Sequence, residues 1–424
     1  MFTILYNLFT RSLIVLVVAM LSVNYLPDHL FSDFPFDPKS VEPNNYDSVI
    51  PQWNSKLSDN QPEFIFNGIL GPESIAVARN GLVYTGLADG RLVELDPRRK
   101  YQARQVLRFK ESPNCVDNIA TRSRECGRFL QLRFLNDTLY ALESYTGLYE
   151  IDIRTGKKSL VGPKSSNRVN LFNSFAFDPK EPNIVYITVS STKWDLHTIV
   201  WSIFERDSTG QILALDIKSR KSVVIVDGLL TPNGIDVDVK RDRLVFSQTV
   251  LGEIGSINLE QVRTQFKNAE DGSRLKNVLK SALIPLVPGC PDNIIIEGDI
   301  AYIALPFVKP NGNDLVDHLS TMPTVKKAYA RLVYGLGKIL EYICKNVYHH
   351  TTLEIAYQEI MSGHINYSII KTDKSAVIEY NLSTGTSRFL GSNTFGFLSE
   401  AVPDGDGNLL LGSFRSPFIV KVKV

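Results

Sequence analysis

The chain has 424 residues, 44% of them hydrophobic, and its 46 Lys and Arg nearly balance its 45 Asp and Glu, for a formal net charge of +1. This length fits two or three average domains or one all-β barrel or propeller, and the hydrophobic fraction is ample for a core. The balanced charge offers no case for nucleic-acid binding, and four cysteines are too few for a disulfide scaffold.

Residues 1–27 are predicted to form an uncleaved membrane anchor. Residues 13–23 are an apolar run, and Arg11 is the only charged residue before Asp28. With its flanking residues the segment is long enough to span a bilayer if the Arg11 side chain extends to the interface. A cleaved signal peptide is the alternative, but no clear small-x-small cleavage site follows the run. The lone Arg favours a cytoplasmic N-terminus, which makes the protein a single-pass type II membrane protein facing the secretory lumen or the exterior.

Glycosylation acceptors agree with that location. Asn136, Asn366 and Asn381 each begin an Asn-x-Ser/Thr triplet, the acceptor for N-linked glycans in secreted and luminal proteins. Such triplets also arise by chance, so they support the location and do not establish it.

The cysteines point the same way. Cys115 and Cys126 bracket a short polar loop and can close a disulfide, which an oxidising compartment would preserve. Cys290 and Cys344 are left over and are expected to be buried free thiols.

Residues 28–61 are rich in Pro, Asp, Asn and Ser and are predicted to be an extended linker. From residue 62 to residue 424, a β-rich run, a Gly or Asp turn and a second β-rich run recur six times at a period of roughly 50 to 60 residues. A period of this size with a hairpin in each unit predicts an all-β, six-bladed β-propeller, whereas a solenoid of strands has shorter repeats. The predicted strand pairs are 81–86 with 90–95, 138–142 with 147–151, 184–188 with 210–215, 243–247 with 252–257, 300–304 with 375–380, and 408–412 with 418–422.

The fifth repeat is interrupted by residues 314–357, whose pattern is helical. Apolar side chains fall on one face of this predicted helical insertion, amid several Lys and Arg. It either covers the mouth of the propeller or rests on a membrane surface, and the two interpretations do not exclude each other. The apolar positions are Val325, Tyr329, Leu332, Leu336, Ile339 and Ile343.

Polar turns precede the β-rich runs of several repeats at similar distances. Equivalent positions of a propeller converge on its central channel, so side chains far apart in sequence are expected to meet there. Asn233 by itself would be explained as a residue that closes a turn, but the recurrence favours a shared site. Two carboxylates with amide oxygens suit calcium, with water completing the shell, and no cluster of His or Cys suggests zinc. The predicted ligands are Glu73, Asn173, Asn233, Asp292 and Asn293.

The motifs around these positions resemble the strictosidine synthase-like family over nearly the whole chain after residue 61. The resemblance implies a six-bladed propeller, a disulfide between Cys115 and Cys126 and, in the membrane branch of the family, a type II anchor. The motifs are Gly71-Pro72-Glu73-Ser74-Ile75, Thr85-Gly86-Leu87-Ala88-Asp89-Gly90, Cys126-Gly127-Arg128, Pro232-Asn233-Gly234, Pro291-Asp292-Asn293-Ile294 and Gly412-Ser413-Phe414-Arg415-Ser416-Pro417-Phe418.

The resemblance also implies candidate chemistry. The fold is similar to that of paraoxonases and other calcium-dependent lactonases and esterases, whose ligand turns match the five predicted ligands one by one. Strictosidine synthase uses a glutamate just before the final strand pair for its Pictet-Spengler condensation, and Glu400 occupies that place as a candidate general base. A rim carboxylate paired with Arg or Lys is the other interpretation of Glu400.

The paraoxonase His pair has no counterpart here. His197 is alone in its loop, His349 and His350 lie near the end of the helical insertion, and His29 is in the predicted linker. A metal-bound water with Glu400 or an Asp as base would replace that route.

Three functions follow from these observations. The first is a calcium-dependent, arylesterase-like hydrolase of small esters or lactones, with Glu400 as base. The second is a non-catalytic, membrane-tethered propeller in which calcium stiffens the channel and the loops bind a partner. The third is a condensing enzyme of the strictosidine synthase type.

Overall fold

The computed structural model describes residues 11, 14, 15, 18, 22–67, 70–112, 115, 122–163, 169–365 and 374–424. They form two compact units, one helical and one built of β-sheets. Most of the predicted anchor 1–27 and the acceptor Asn366 lie outside the described residues. Within the described ranges, every helix is too short or too polar to cross a membrane. The helical unit comprises Met1–Pro43, Thr198–Asp207 and Asn313–Lys371, and the sheet unit comprises Asn44–His197, Ser208–Gly312 and Thr372–Val424.

The described part of the sheet unit contains six antiparallel sheets of four strands. In five of them the strands run from one edge to the other in chain order, and in the sixth the order is β24, β25, β26 and then β1. A small two-stranded sheet, β18 and β21, accompanies them. The four-stranded sheets are β2 (Ile75–Val77), β3 (Val83–Gly86), β4 (Arg91–Asp96), β5 (Gln102–Arg108); β6 (Phe129–Leu135), β7 (Thr138–Glu143), β8 (Gly147–Ile151), β9 (Lys158–Gly162); β10 (Phe172–Phe177), β11 (Ile184–Val189), β12 (Gly210–Asp216), β13 (Ser222–Leu229); β14 (Pro232–Asp238), β15 (Arg243–Gln248), β16 (Glu253–Asn258), β17 (Lys280–Ile284); β19 (Ile294–Glu297), β20 (Ile300–Leu305), β22 (Ser375–Asn381), β23 (Ser387–Ser392); and β24 (Leu398–Pro403), β25 (Asn408–Ser413), β26 (Phe418–Lys423) with β1 (Glu63–Asn67). The small sheet pairs β18 (Gly289–Cys290) with β21 (Phe307–Val308).

The sheets succeed one another in a closed order. The first strands β2, β6, β10, β14, β19 and β24 contact their neighbours in turn, and β24 contacts β2. A hydrophobic cluster fills the space between each pair of successive sheets, including the last and the first. The closure is completed by β1, which pairs antiparallel with β26 through Glu63 and Lys421. Because each sheet is covered on both faces, the arrangement is of the β-propeller type.

All six predicted strand pairs are antiparallel pairs in the structure. The pair predicted across the helical insertion is among them. In this pair Ile300 of β20 lies opposite Asn381 of β22, although the insertion stands between the two strands in the sequence. The strands on either side of an insertion keep the hydrophobic alternation of the sheet. This alternation is why the sequence predicts their pairing.

The helical unit contains the insertion between β20 and β22. Its helices end at Met361, a few residues beyond the predicted limit of 357. Asp314 caps the first of them by accepting hydrogen bonds from the backbone of Val316 and Asp317. The α-helices whose bounds lie within the described residues are α1 (Lys56–Asp59), α2 (Ser123–Cys126), α3 (Ile199–Glu205), α4 (Leu259–Asn268), α5 (Leu315–His318), α6 (Pro323–Asn346) and α7 (Thr351–Met361). Short 3-10 helices are Val23–Tyr25, Asp28–Phe31, Tyr46–Val49, Pro97–Arg99, Leu196–Thr198 and Leu319–Thr321.

Residues 28–61, predicted to be an extended linker, contribute buried side chains to both units. The stretch is divided between the two units after residue 43. Phe34 stacks on Tyr334 with ring centroids 4.3 Å apart and meets Trp201 edge-on at 5.1 Å inside the helical unit. Tyr46 and Leu57 are fully buried in the sheet unit. Scattered aromatic residues in a Pro-rich stretch therefore anchor it, because burying each ring outweighs the cost of ordering the chain.

The two cysteines of the predicted pair, Cys115 and Cys126, form a disulfide with their Cα atoms 5.6 Å apart. Cys290 and Cys344 are not disulfide-bonded, as expected, but Cys290 is only half-buried whereas Cys344 is buried. Asn136 is exposed in the tight turn between β6 and β7, and Asn381 is half-buried because its Oδ1 accepts hydrogen bonds from the backbone of the following turn.

Candidate functional site

The predicted site residues lie at equivalent places in the first strands of the sheets. Glu73 comes two residues before β2, Asp292 and Asn293 come directly before β19, and Asn173 and Asn233 are the second residues of β10 and β14. Glu400 is the third residue of β24. Asn173 and Asn233 were predicted in turns and are instead strand residues. The turn before β14 lies at Thr231, whose φ is +51°.

A register shift at the start of four first strands explains how strand residues point to a common centre. Shifts occur between Phe129 and Gln131, Phe172 and Phe175, Pro232 and Ile235, and Leu398 and Glu400. A bulge of this kind leaves one residue unpaired with the neighbouring strand and redirects its side chain. The same kind of bulge therefore occurs in each first strand that carries a site residue within the strand.

Hydrogen bonds join each first strand to the next around the closed order. The second strand β11 provides one of them, through Thr188. Together they fix the spacing of the side chains at the centre. The six bonds are Leu132 N to Ser74 Oγ (3.0 Å), Ser174 Oγ to Gln131 Oε1 (3.0 Å), Thr188 Oγ1 to Asn233 O (2.5 Å), Gly234 N to Asp292 O (3.2 Å), Asn293 N to Ser399 O (3.1 Å) and Ser399 Oγ to Glu73 O (2.9 Å).

Three carboxyl groups are buried at this centre. Glu73, Asp292 and Glu400 are 7%, 5% and 0% exposed. Burial raises the pKa of Asp292 well above its usual range, the charges of Glu73 and Glu400 raise it further, and a hydrogen bond from Asn233 opposes the shift. Burial also raises the pKa of Glu73, opposed by Arg128. The charges of Glu73 and Glu400 act on Asp292, which indicates that the three buried carboxyl groups lie near one another.

Several oxygen atoms at the centre are buried without a hydrogen-bond partner in the described residues. They are Oδ1 of Asn233, Oδ1 of Asp292 and Oδ1 of Asn293, whose Nδ2 is also unpaired. A buried carbonyl or carboxylate oxygen left unpaired costs free energy, and the lone pairs of these three oxygens are available to a cation. Carboxylate and amide oxygens of this kind are the ligands that calcium prefers. Within the described residues, no three His, Cys, Asp or Glu side chains form a metal centre by themselves, so amide oxygens have to contribute.

Arg128 is a cation at the same centre that the sequence reasoning did not select. Its Nη2 lies 2.7 Å from Oε2 of Glu73 and donates to the carbonyl of Phe414, also at 2.7 Å. Its Nε is buried and unpaired. The disulfide ends at Cys126 and thereby holds the start of the segment that carries Arg128. The Cys126-Gly127-Arg128 motif is the signal in the sequence that could identify this residue.

Glu400 is held by donors on both oxygens. Gln131 Nε2 donates to Oε1 at 2.9 Å, Ser74 Oγ reaches the same oxygen at 3.5 Å, and the backbone N–H of Ile75 donates to Oε2. Burial raises the pKa of Glu400 to about 7, and these hydrogen bonds and the charge of Arg133 oppose the shift. Glu400 is thus a central and fully buried carboxyl, and the predicted alternative of a rim carboxylate in an ion pair is wrong.

Gln131 is the second residue missed by the sequence reasoning. In the second sheet it lies at the place that corresponds to Glu73 in the first sheet and Asn173 in the third. Its side chain forms hydrogen bonds with both Glu400 and Ser174. Its setting in Phe129–Leu135 has the composition of an ordinary strand, without Pro or Gly to mark it. Only the repeat period could have selected it.

Close packing at the centre depends on Gly234. A Cβ at this position would lie 2.4 Å from the backbone N of Ile294 and 2.5 Å from Cα of Asn293. We expect Gly234→Ala to destabilise the chain by about 1–3 kcal/mol, because rigid backbone has to move. Thermal and denaturant unfolding measure this effect. The control is Gly335→Ala in α6, where nothing lies within 4 Å and helix propensity predicts a gain of up to about 1 kcal/mol. Equal effects at the two positions would contradict this account of the packing.

The fold and the centre define an all-β protein of the β-propeller type with a buried polar cluster where its first strands meet. The family model for strictosidine synthase matches residues 173–256, and the model for the N-terminal part of strictosidine synthase-like proteins matches residues 54–95. These two matches confirm the resemblance to the strictosidine synthase-like family found in the sequence. The matched ranges include Glu73, Asn173 and Asn233.

The chain is also similar to several known proteins over most of its length. The adipocyte plasma membrane-associated protein of Gallus gallus is 27% identical over 421 residues, covering 96% of this chain and 89% of the relative. The strictosidine synthase-like protein 13 of Arabidopsis thaliana is 25% identical over 341 residues, covering 75% of this chain and 80% of the relative. Among solved structures, the calcium-binding protein regucalcin of Agrobacterium tumefaciens is similar with a TM-score of 0.48 and 12% identity, covering 88% of this chain and 94% of that one.

Proposed function

We propose that the chain is a calcium-dependent, arylesterase-like hydrolase of small esters or lactones. In this proposal the six four-stranded sheets are the blades of a six-bladed propeller. Residues 1–27 are a type II membrane anchor, and the rest of the chain lies in the secretory lumen or outside the cell. The name of the Gallus gallus relative, a membrane-associated protein, supports the location. The observation that carries the hydrolase is the group of buried, unpaired oxygens of Asn233, Asp292 and Asn293.

The proposed calcium ligands are those three side chains with Glu73 and Asn173 at the equivalent positions of their sheets. Asp292 and Glu73 supply negative charge, and the amides supply neutral oxygens, as calcium sites commonly require. Bound calcium would polarise the carbonyl group of a substrate as a Lewis acid. Arg128 neutralises part of the negative charge on Glu73 when the site is otherwise rich in carboxylate. These features together support a divalent cation at the centre.

Glu400 is assigned the role of general base, which accepts the proton that an attacking water molecule loses. Its pKa of about 7 means that near neutral pH the carboxyl group is present in both protonation states and can accept and release a proton. Gln131 and the Ile75 amide orient the carboxyl group while it does so. The role is therefore consistent with both the burial and the hydrogen bonds of this residue.

A non-catalytic binding module is the second candidate. It is favoured by the occupation of both Glu400 oxygens and by the ion pair between Glu73 and Arg128, which together give the centre the character of a structural core. The third candidate, a condensing enzyme, is supported by the family match and would also use Glu400. The three candidates differ in what happens when Glu400 or calcium is removed.

We expect Glu400→Gln to lower kcat/KM for aryl esters at least about 100-fold, the usual contribution of a general base, without abolishing calcium binding. In the parent protein kcat/KM should rise as the pH passes through about 7, because the carboxylate is the active form. That rise should be absent in the variant. The assay compares purified full-length protein with and without a calcium chelator. Glu94→Gln is the control, since Glu94 is engaged by Tyr84 and Arg104 away from the centre.

The outcomes separate the candidates. Turnover that is lost on chelation and on Glu400→Gln supports the hydrolase. No turnover of esters or lactones in either condition, with chelation lowering only the melting temperature, would favour the binding module. Loss of an amine and aldehyde coupling on Glu400→Gln would favour the condensing enzyme.

A further inference from the structure

The outer face of α6 is apolar. Surface helices normally bury their apolar stripe and expose the polar one. In α6 the buried set includes a lysine and an arginine, together with small residues such as Ala328, Ala330 and Gly337. The exposed set forms a stripe at helical spacing, Leu332 (40% exposed), Leu336 (51%), Ile339 (60%) and Tyr342 (66%), which we call the α6 apolar face.

The buried side of α6 is explained by its contacts within the helical unit. Gly337 allows α7 to approach closely, since a Cβ there would lie 2.3 Å from Cγ of Met361. Lys326 is 1% exposed with its ammonium group 5.5 Å from the ring centre of Phe204. The polar side of α6 therefore has internal partners, and the inverted polarity is a property of the folded unit.

Arg331 on the buried side fixes the chain just after the N-terminal apolar run. Its Nη1 donates to the carbonyls of Val23, Asn24 and Leu26 at 3.3, 3.1 and 3.2 Å, and its Nη2 forms an ion pair with Asp28. The side-chain amide of Asn24 also donates to the carbonyl of Thr324, at 3.0 Å. The apolar run therefore ends directly beside α6, although 300 residues separate them in sequence.

The N-terminal segment also exposes apolar side chains. Of the N-terminal run, Ile14, Val15 and Val18 are described, and they are 57%, 68% and 60% exposed. Further exposed apolar side chains follow the run at Tyr25 (89%) and Leu30 (56%). Two apolar surfaces, one predicted to enter a membrane and one on α6, are thus held together by Arg331.

We propose that the α6 apolar face lies in the interfacial layer of the same membrane that residues 1–27 enter. The inference rests on the anchor in the proposed function and is independent of the hydrolase. A lipid surface is favoured over a protein partner because Arg331 fixes the end of the predicted anchor against α6, and because the face carries Tyr342, a residue type enriched at membrane interfaces. Lys338 and Lys345 flank the face and are engaged by Glu341, so apolar contact and not charge supplies the binding. The exposure of Ile14, Val15 and Val18 argues against the N-terminal run folding back over α6.

The test uses full-length protein reconstituted into phosphatidylcholine vesicles. Single cysteines for an environment-sensitive fluorophore are introduced as Leu336→Cys or Ile339→Cys after Cys290→Ser and Cys344→Ser, with unfolding curves to verify the fold. Lipids with a nitroxide near the top of the acyl chain should quench these labels at least about twofold more than a label at Thr264→Cys, and iodide should show the reverse order. Thr264 is the matched control because it is exposed on α4, which buries Leu259, Val262 and Phe266.

Each outcome decides the inference. Labels on α6 that iodide quenches as strongly as the Thr264 control would overturn it. Labels shielded from both quenchers would also overturn it, in favour of a second copy if the protein cross-links into dimers and of cover by the same chain if it does not. A second variant, Leu332→Ser with Leu336→Ser and Ile339→Ser, should reduce lipid quenching of a label at Tyr342→Cys at least about twofold. It should leave the protein resistant to carbonate extraction, since the anchor is intact, and unchanged quenching in this variant would overturn the inference.

Discussion

Replacing Asp292 by Asn is expected to abolish the calcium response of the protein and to raise the stability of the metal-free chain. Burial and the charges of Glu73 and Glu400 raise the pKa of Asp292. Because the folded-state pKa lies above the unfolded value, ionisation of this carboxyl group costs stability as the pH rises, and an amide removes that cost. The same substitution removes one of two negative ligands, so the calcium Kd should rise at least about 100-fold.

The measurement is unfolding with and without calcium, together with titration calorimetry. At a calcium concentration of 100 times Kd the parent protein should gain about 2.7 kcal/mol, and Asp292→Asn should gain nothing. Asp404→Asn is the control, because Asp404 directly follows β24 and is paired with Lys421 at 2.9 Å, away from the centre. A parent protein that binds no calcium at millimolar concentration would refute the metal site. A variant that keeps the full response would remove Asp292 from the ligand set.

The second large effect is expected at Arg263, which joins neighbouring sheets through two carboxylates. Its Nε donates to Asp178 at 2.7 Å, and its two terminal nitrogens each donate to Asp242 at 2.9 Å. Arg263 and Asp178 are 8% and 1% exposed, and Tyr186 also donates to Asp178. Arg263→Ala should cost about 3–5 kcal/mol, because it leaves a buried carboxylate without its counter-ion. Denaturant unfolding measures this loss.

Arg274→Ala is the control for Arg263→Ala. It should lower the free energy of unfolding by less than about 1 kcal/mol, since Arg274 and Asp227 form an exposed pair. Hydrogen bonds from Arg263 lower the pKa of Asp242 to about 2. The contribution of the pair is therefore fully present above the unfolded carboxyl pKa of 3.8 and is lost as the pH falls through about 2. An Arg263→Ala variant as stable as Arg274→Ala would show that the network does not stabilise the sheets.

The candidate site shows how far the repeat period carries a sequence-based prediction. Asp292 and Asn233 stand next to Pro or Gly, so their motifs were visible, and the structure places both at the same buried centre. Gln131 stands in a strand without neighbouring Pro or Gly, and Arg128 reaches the centre from a loop held by a disulfide. Neither position can be recognised from local composition, because what defines them is contact with residues more than 50 positions away, Glu73 and Glu400.

The sequence by itself determined the all-β class, the six strand pairs, the place of the helical insertion and the disulfide partners. These features follow from period-two hydrophobic alternation, turn residues and spacing, which are local properties. Tertiary structure alone decided which oxygens are left unpaired at the centre, that Glu400 is buried and not at a rim, and that α6 turns its apolar face outward. Those outcomes depend on bulges that redirect side chains by one residue and on which face of a helix finds partners, and neither is encoded in any single segment.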